Sequence, residues 1–540
     1  NVVTNRINRD RIEWHGSTPK GIEMPDFVKC DDPWFRPVDI KLGPDGALYV
    51  ADFYTRIIGH YEVPLNHPLR DFDKGRIWRI TYRGPDGVRK PDEYQPMLER
   101  SVEELIVLLG HGNLTVRTFA ANELVARGRP KVVAETTRLL TSGSAFQQMH
   151  ALWVLERLNG LGDADLHTGL ASPAPWVRVH AAKILAGRAN TIRAEVEQLR
   201  NCLKDADPLL QRAAAEALGT HPGAANIHAL LAFRQVVRAN DTHLLHVVRM
   251  ALRNQLRNPA VAGLINRTAF EKAGDVEALA DVCLGIPSPD AAEFLLHHGL
   301  NENKDGSLWQ GRVHHIARYG DARARESLID NIGEPTDRAN PELMGVAVKA
   351  YFQAIQERGE QLSNGERRWA MACVASLLDS KQPKALQYGI ELAGSLKIAD
   401  AQPALFGITK DPGRPESQRR SAIAALVTIE PRKHVEPLAR LLLDDKETIG
   451  VREQIASSLA AVNQPEAYTA LVQAFEKAPA RLQTTIALGM AGSPQGGNKL
   501  LNAVAAGKAS ARLLQDRAIE LRLRASRVGD LDARLAKLTK

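Results

Sequence analysis

The sequence predicts a mostly α-helical protein, an α-solenoid of repeated helix pairs preceded by a small all-β segment. Two patterns predict this fold. Between residues 36 and 54, apolar and polar residues alternate before a turn signal, which is typical of β-strands. After residue 100, one helical pattern recurs at intervals of 30 to 33 residues, which is typical of stacked helix pairs. The low aromatic content, 5%, agrees with helices rich in Ala and Leu.

The β segment contains two strands joined by a tight turn. Val38, Ile40 and Leu42 alternate with polar residues, and the turn at 43–46 reads Gly-Pro-Asp-Gly. Proline presets φ for such a turn, and glycine accepts a positive φ. Further strands are predicted at 47–51, 56–63 and 75–82. Four antiparallel strands amount to about one blade of a β-propeller.

We interpret residues 1–84 as the C-terminal part of a β-propeller. A propeller closes with about four to eight blades. Residues 1–32 offer only short strands, at 2–4 and 11–14, which would belong to the preceding blade. The sequence starts at Asn1, without Met or an apolar signal core. We therefore expect the chain to be a fragment of a larger protein.

The boundary between the β segment and the helices is predicted at residues 85–100, a linker. A Gly-Pro-Asp-Gly turn at 84–87 and two prolines, Pro91 and Pro96, prevent an early helix. Ser101 and Glu104 then have the spacing of a capping box, so the first helix should start there. The solenoid is predicted to cover 101–525 and to be followed by a basic tail at 526–540.

The repeats share a helix whose apolar positions lie on one face. The reference positions are Arg117, Gln148, Arg178, Gln211, Arg419, Arg452 and Gln483. Offsets of +3, +4 and +7 from each reference carry apolar residues, and so does offset −1 except at Gln147 and Gln418. These offsets lie on one side of a helix with 3.6 residues per turn. The small residues at +4, such as Ala182 and Ala456, should be buried where neighbouring helices touch.

Composition and motifs exclude several classes of function. The formal net charge of +7 is concentrated near the end, where residues 507–540 contain 9 basic and 4 acidic residues. No nucleic-acid-binding motif accompanies them, so we expect no nucleic-acid partner. No run of 18 apolar residues occurs, so we expect no membrane span. The four cysteines lie far apart, and we expect no metal site from them.

Polar residues at the strand ends of the β segment are the candidate site residues. They are Arg36, Asp39, Asp52, Arg56 and His60. Propellers place functional groups around a central channel, which is one interpretation. The other is structural: strand-end charges often serve turns, and Asp52 could pair with Arg56 across one. No motif for a nucleophile or a phosphate-binding loop is present, and we assign no catalytic residue.

The sequence resembles two known families. Residues 1–84 resemble the closing part of the propeller in a bacterial family of membrane-bound dehydrogenase-like proteins, common in Planctomycetes and similar to quinoprotein glucose/sorbosone dehydrogenases. The segments that carry this resemblance are NVVTNRINRDRIEWHGSTP, DDPWFRPVDIKLGPDGALYVADFYTRIIGHYEVPLNHP and GRIWRITYRG. The repeats VRTFAANEL, VRVHAAKIL and VREQIASSL resemble HEAT repeats.

The dehydrogenase resemblance implies a larger exported protein in the periplasm or cell envelope. Its members combine a propeller, HEAT-like repeats and a cytochrome domain, which implies pyrroloquinoline quinone and haem c in a full-length parent. It implies a quinone or substrate contact for Arg36, since a guanidinium suits a carboxylated cofactor. This chain has no CxxCH motif, and we expect no cofactor in the chain alone.

Three functional hypotheses remain open. The favoured one is a fragment of an exported dehydrogenase-like protein, in which the solenoid is a docking scaffold for partner proteins or neighbouring domains. The second is a quinone-dependent sugar dehydrogenase whose catalytic blades lie upstream and whose complete propeller binds carbohydrate. The third is a non-enzymatic propeller–solenoid interaction protein.

Overall fold

The chain forms a mostly helical, HEAT-like solenoid with a small N-terminal β segment, which confirms the predicted fold class. The structure is a computed structural model that describes residues 3–59, 62–128, 130–189, 192–300, 306–335 and 340–539. The chain divides into two compact units, Asn1–Ile286 and Pro287–Lys540. Within the described residues, no helix combines the length and apolar character that crossing a membrane requires.

The β segment consists of two small antiparallel sheets. The strands are β1 (Arg6–His15), β2 (Thr18–Lys29), β3 (Pro37–Leu42), β4 (Leu48–Asp52) and β5 (Arg76–Ile80). β1 and β2 form a hairpin, and the other three form a sheet in the order β3-β4-β5. Buried Ile7, Phe35 and Val50 join the two sheets through a small shared core.

The predicted four-stranded blade is wrong. The described residues of the predicted strand at 56–63 form no strand, and β5 pairs directly with β4. The physical reason lies just after β4, where Tyr54 has a positive φ of 47° and turns the chain. The Arg36 guanidinium then binds the carbonyl oxygens of Thr55 and Arg56, so these groups are not free for a β ladder.

The N-terminal strands also differ from the prediction. Residues 11–14 lie in a strand, as predicted, but that strand is the longer β1 and pairs with β2, which the sequence analysis missed. Val3 and Thr4, the described residues of the other predicted strand, lie in a turn. Residues 6–29 thus form a hairpin of their own.

The first unit contains twelve helices among its described residues. They are α1 (Val102–Leu108), α2 (Leu114–Arg127), α3 (Pro130–Ser142), α4 (Ala145–Arg157), α5 (Asp163–Leu170), α6 (Pro175–Gly187), α7 (Arg193–Cys202), α8 (Pro208–Thr220), α9 (Ala224–Arg234), α10 (Thr242–Leu256), α11 (Pro259–Ile265) and α12 (Ala273–Cys283). The even-numbered helices pack against one another in sequence order, from α2 to α12, and form one layer of the solenoid. We call this the even layer.

The second unit continues the pattern with its own even layer. Its helices are α13 (Pro289–Phe294), α14 (Gly306–Tyr319), α15 (Ala322–Ile332), α16 (Pro341–Glu357), α17 (Asn364–Leu378), α18 (Pro383–Ser395), α19 (Gln402–Lys410), α20 (Glu416–Ile429), α21 (Val435–Leu443), α22 (Ile449–Val462), α23 (Pro465–Ala474), α24 (Ala480–Met490), α25 (Pro494–Ala505), α26 (Arg517–Ala525) and α27 (Leu531–Leu538). The even-numbered helices from α14 to α26 pack against one another in sequence order. Part of the predicted basic tail is helical, because α27 covers residues 531–538.

Polar side chains at the first position of many helices explain where these helices begin. The capping box predicted at Ser101 and Glu104 is confirmed, with the Ser101 hydroxyl accepting from the Glu104 backbone N–H and the Glu104 carboxylate accepting from the Ser101 N–H. Such caps satisfy backbone donors that a helix leaves unpaired. The remaining side-chain caps include Asn113, Ser144, Asp207, Asp241, Asn258, Asp321, Asn340, Ser363 and Thr448.

The polar side chain at the reference position of the repeat has a structural role, because it binds backbone carbonyl groups. In six of the seven repeats, the Arg or Gln side chain donates to backbone carbonyls just before its own helix. Arg452 Nε, for example, donates to the Leu442 carbonyl at 2.9 Å, and Arg419 also pairs with Glu447. These bonds satisfy buried carbonyls of the connecting loop. The small residues at +4 are buried as predicted, since Ala182 and Ala456 are both 0% exposed.

Candidate interaction site

Arg36 lies in a polar network inside the β segment. Its backbone N–H donates to Asp52 Oδ1 at 2.8 Å, and its Nε donates to the Thr55 carbonyl at 2.9 Å. The two Nη atoms donate to the carbonyls of Val3 and Arg56 at 3.1 and 2.9 Å. Burial lowers the pKa of the Arg36 guanidinium from its usual value, against the opposing charge of Asp52. The side chain thus holds three chain segments together.

Asp52 is the second centre of this network. It also accepts from Arg76 Nε at 2.8 Å and from Trp78 Nε1 at 2.9 Å. Burial alone would raise the pKa of Asp52, but hydrogen bonds from the backbone and from Trp78 outweigh it and lower the pKa. The guanidinium of Arg76 also lies over the Tyr54 ring, 4.2 Å from its centroid.

The structure brings together two of the five predicted site residues. Arg36 and Asp52 are buried and bonded, whereas the side chains of Asp39 and Arg56 are exposed. Asp39 pairs with Lys41, and Arg56 takes part in the network only through its backbone carbonyl oxygen, which accepts a hydrogen bond from Arg36. His60 lies outside the described residues. The cofactor role of Arg36 stays a prediction.

The β segment is fastened to the solenoid at the start of α2. Asn113, which caps α2, donates through its side-chain amide to the Gly43 carbonyl at 2.8 Å. The Thr115 hydroxyl donates to the Leu42 carbonyl at 2.7 Å. Leu42 ends β3 and Gly43 begins the turn that joins β3 to β4, so this corner is one attachment of the β segment.

The turn of the β1–β2 hairpin makes a second attachment, at the starts of α8 and α10. Asp241, which caps α10, accepts from the Ser17 N–H at 2.6 Å and from the Ser17 and Thr18 hydroxyls at 3.0 and 2.8 Å. Arg212 of α8 donates to the Ser17 carbonyl at 2.7 Å. Asp241 and Ser17 are 2% and 0% exposed. A buried, fully bonded carboxylate makes this attachment specific.

The two attachments lie at the starts of helices in the even layer, one at α2 and the other at α8 and α10. Helices α2 and α8 are three packing steps apart, which at about 8–10 Å per step is roughly 24–30 Å. The starts of α4 and α6 therefore lie in the interval between the attachments.

The even layer carries aromatic and histidine side chains in this interval. On α4, Phe146, His150 and Trp153 occupy positions i, i+4 and i+7. On α6, Trp176, His180 and Lys183 occupy the same spacing. This spacing places each trio on one side of its helix. We call these six residues the aromatic–histidine face.

Contacts across helices connect this face. Arg117 of α2 lies over the Phe146 ring at 4.1 Å from its centroid and donates through Nε to His150 Nε2 at 3.2 Å. Trp153 Nε1 donates to His180 Nδ1 at 2.9 Å. The two outermost rings, Phe146 and Trp176, are nevertheless 43% and 54% exposed. The face is therefore ordered by internal bonds and open to solvent at the helix starts.

Both imidazoles of the face are held neutral. Burial and the charge of Arg117 lower the pKa of His150 to about 4. Burial and the charge of Lys183 lower the pKa of His180. Because His150 accepts through Nε2 and His180 through Nδ1, each neutral ring carries its proton on the other nitrogen. Each ring therefore retains one N–H donor.

We expect acid to destabilise the solenoid through His150. Its folded pKa, about 4, lies below the usual value of 6.5, so between these pH values the unfolded chain binds more protons than the folded chain. The free energy of unfolding should therefore fall as pH decreases from 6.5 towards 4. Urea denaturation of wild type and of His150→Gln at several pH values measures this. The variant should show a shallower decline over that window, and identical slopes would contradict the assignment.

The face was not predicted from the sequence, although the repeat pattern contains its signal. Relative to the reference positions, the face occupies offsets −2, +2 and +5, opposite the core offsets. In the second unit these offsets carry mainly small or polar residues: Ser417, Ser421, Ala424, Gly450, Gln454, Ser457, Arg481, Thr485 and Leu488. The repeat fold therefore does not require aromatic rings there.

Comparisons with known families match three stretches of the chain. Residues 1–84 match a domain of unknown function, DUF7133, and residues 164–253 and 413–491 match HEAT repeats. No curated protein matches the chain. The resemblance to dehydrogenase-like proteins stays a prediction. The chain carries a DUF7133 domain and HEAT repeats.

Solved structures of the karyopherin Kap121p are similar to the chain. Kap121p bound to Pho4p matches at 13% identity and a TM-score of 0.46, covering 82% of this chain and 55% of Kap121p. Kap121p by itself matches at 14% identity and a TM-score of 0.45, with 81% and 54% covered. The chain thus spans about half the length of the solved structures it matches. At these identities the similarity concerns the fold alone.

Proposed function

We propose that this chain is a protein-docking scaffold, whose solenoid presents an ordered surface and whose β segment is fastened beside it. The observation that carries the proposal is the aromatic–histidine face. Arg117 contacts the Phe146 and His150 rings, and Trp153 bonds to His180, yet Phe146 and Trp176 remain substantially exposed. Exposed aromatic clusters are typical of surfaces that bind other proteins.

The absence of such rings at the equivalent positions of α20, α22 and α24 supports this interpretation. An exposed indole contributes little to a helix that Ala, Ser or Gln can build equally well. The bonds from Arg117 and Trp153 preorganise the face, which lowers the entropy lost on binding. HEAT solenoids suit this use, because stacked repeats create extended surfaces.

Capture followed by re-measurement tests the proposal. The immobilised chain should retain a protein from an extract of the organism that produces it, whereas immobilised serum albumin should not. The retained protein, once purified, should bind the chain saturably in isothermal titration calorimetry, with about micromolar or tighter affinity. If every retained protein fails to bind saturably after purification, the scaffold proposal is wrong.

We further propose, on the sequence resemblance of residues 1–84, that the chain belongs to an exported dehydrogenase-like protein of the cell envelope. In such a parent the solenoid would connect the propeller to a partner or cytochrome domain. The alternative, quinone-dependent sugar oxidation, would need carboxylate-binding groups in the β segment. The described residues do not fit that need here, because the donors of Arg36 already serve Val3, Thr55 and Arg56.

We therefore expect this chain alone to oxidise no sugar. The purified chain would be mixed with pyrroloquinoline quinone, Ca²⁺, a panel of aldoses and an artificial electron acceptor, and dye reduction followed by absorbance. No turnover above background is expected, because a guanidinium bonded to backbone carbonyls has few donors left for a quinone carboxylate. Sugar-dependent reduction that disappears in Arg36→Ala would promote the dehydrogenase alternative.

A further inference from the structure

We propose that the aromatic–histidine face, in the interval between the two attachments of the β segment, binds an acidic protein segment that carries aromatic or proline residues. This inference rests on the proposed scaffold function and names the partner class and the site. Helices α4 and α6 carry all six residues of the face. The face thus offers a bounded interval of roughly 24–30 Å between the attachments, enough for about eight extended residues.

The charge distribution selects an acidic partner. Helices α2, α4 and α6 together contain only two carboxylates, Glu123 and Glu156. Each is already paired, Glu123 with Arg127 and Glu156 with Arg188.

On the same helices, Lys183 is exposed and pairs with no described carboxylate, and Arg157 donates only to the neutral Asn122 amide among described groups. Each of these two cations can form an ion pair with a carboxylate of the partner without breaking an existing ion pair. Binding of the acidic partner should therefore weaken as the salt concentration rises.

The rings select aromatic or proline residues in that segment. The Trp176 indole and the Phe146 ring are flat, rigid and half exposed, so a partner ring can stack on them with little loss of side-chain entropy. The N–H groups of the neutral His150 and His180 rings add donors for partner carbonyl or carboxylate oxygens.

A nucleic-acid strand fits the face less well. Its affinity depends on several phosphate contacts, each neutralised by a Lys or Arg. The face itself contributes Lys183 and the neighbouring Arg157, whereas Arg117 is committed to the His111 carbonyl and to the Phe146 ring. Two available cations support an acidic peptide better than a phosphate backbone.

Binding of a defined peptide tests the inference. The probe is a fluorescein-labelled peptide of 16 residues that alternates Asp or Glu with Phe and Pro, and its partner control carries Lys at every acidic position. Fluorescence anisotropy should show saturable binding of the acidic peptide to wild type and at least tenfold weaker binding of the Lys peptide. Trp176→Ala and Lys183→Glu should each weaken binding about tenfold or more.

Two matched variants provide the control. Leu521→Ala removes a side chain that is 56% exposed, close to the 54% of Trp176, and Lys499→Glu reverses an exposed charge on α25. Both should leave binding unchanged. Circular dichroism would confirm that every variant keeps the helical content of wild type, which is expected because all four side chains lie on the surface.

The outcomes separate this inference from the scaffold proposal. If a captured partner binds the chain but Trp176→Ala and Lys183→Glu bind it as tightly as wild type does, the site is wrong and the scaffold function stands. If no partner binds saturably, the scaffold function fails. If a single-stranded RNA of equal length binds the face more tightly than the acidic peptide, the partner class proposed here is wrong.

Discussion

Ala456→Glu should lower the free energy of unfolding of the second unit by about 4 kcal/mol or more. Ala456 is 0% exposed at the centre of α22 and belongs to the same buried apolar cluster as Ile423 of α20 and Ala487 of α24. A Glu side chain would overpack this space and place a carboxylate among apolar groups. Overpacking costs about 1–3 kcal/mol, and an unpaired buried charge costs several more.

Ala424→Glu is the matched control for that change. Ala424 belongs to α20 of the same even layer, but its side chain is exposed. The same substitution there should change stability by about 0.5 kcal/mol or less. Urea denaturation followed by circular dichroism measures both variants. Equal midpoints for Ala456→Glu and Ala424→Glu would mean that the repeat register is wrong.

Asp241→Ala should release the hairpin turn and destabilise the first unit by about 3–5 kcal/mol. The carboxylate accepts four hydrogen bonds, three from Ser17 and Thr18 and one from the Leu244 N–H that caps α10. Its removal leaves buried donors without acceptors. Hydrogen exchange should show faster exchange of the Ser17 amide, together with a lower denaturation midpoint.

Asp321→Ala is the control that distinguishes the loss of a helix cap from the loss of the attachment at Asp241. Asp321 caps α15 by accepting from the Ala324 N–H at 2.8 Å, and no described residue of the β segment contacts it. Losing a cap alone should cost about 1 kcal/mol. If both Asp variants lose the same stability, Asp241 acts only as a helix cap, and the second attachment of the β segment contributes nothing.

The carboxylate of Asp241 should also make the second attachment of the β segment dependent on pH. Burial would raise the pKa of Asp241, but hydrogen bonds from Ser17, Thr18 and Leu244 outweigh it and lower the pKa below its usual value. Its stabilisation is therefore present above the ordinary pKa of about 3.9 and is lost as pH falls through the folded value. This window lies at lower pH than the one expected for His150.

The repeats and the turn between β3 and β4 could be predicted because their signals are local. Apolar residues at offsets −1, +3, +4 and +7 specify the buried side of each helix, and Ala182 and Ala456 are buried as expected. Ser101 and Glu104 are three residues apart, so their capping box is visible in the sequence. Local spacing is sufficient wherever both partners lie within one turn of helix.

The missed features depend on residues distant in sequence. The Ser17–Asp241 bond joins residues 224 positions apart, and no spacing rule predicts it. The predicted strand at 56–63 fails because Arg36, about 20 residues earlier, takes the carbonyls of Thr55 and Arg56. The aromatic–histidine face is the exception, because its residues lie close together in sequence on α4 and on α6, at offsets −2, +2 and +5, opposite the apolar side that identifies the repeat.

A photocrosslinking measurement tests the central claim most directly. A photoreactive phenylalanine analogue replaces Trp176 in one chain and Leu521 in another, since the two side chains are similarly exposed at 54% and 56%. Both chains are irradiated in the cells that produce the protein. The account predicts a discrete protein adduct from position 176, reduced by excess acidic peptide, and only background from position 521. Equal adducts from both positions, or none from position 176, would contradict it.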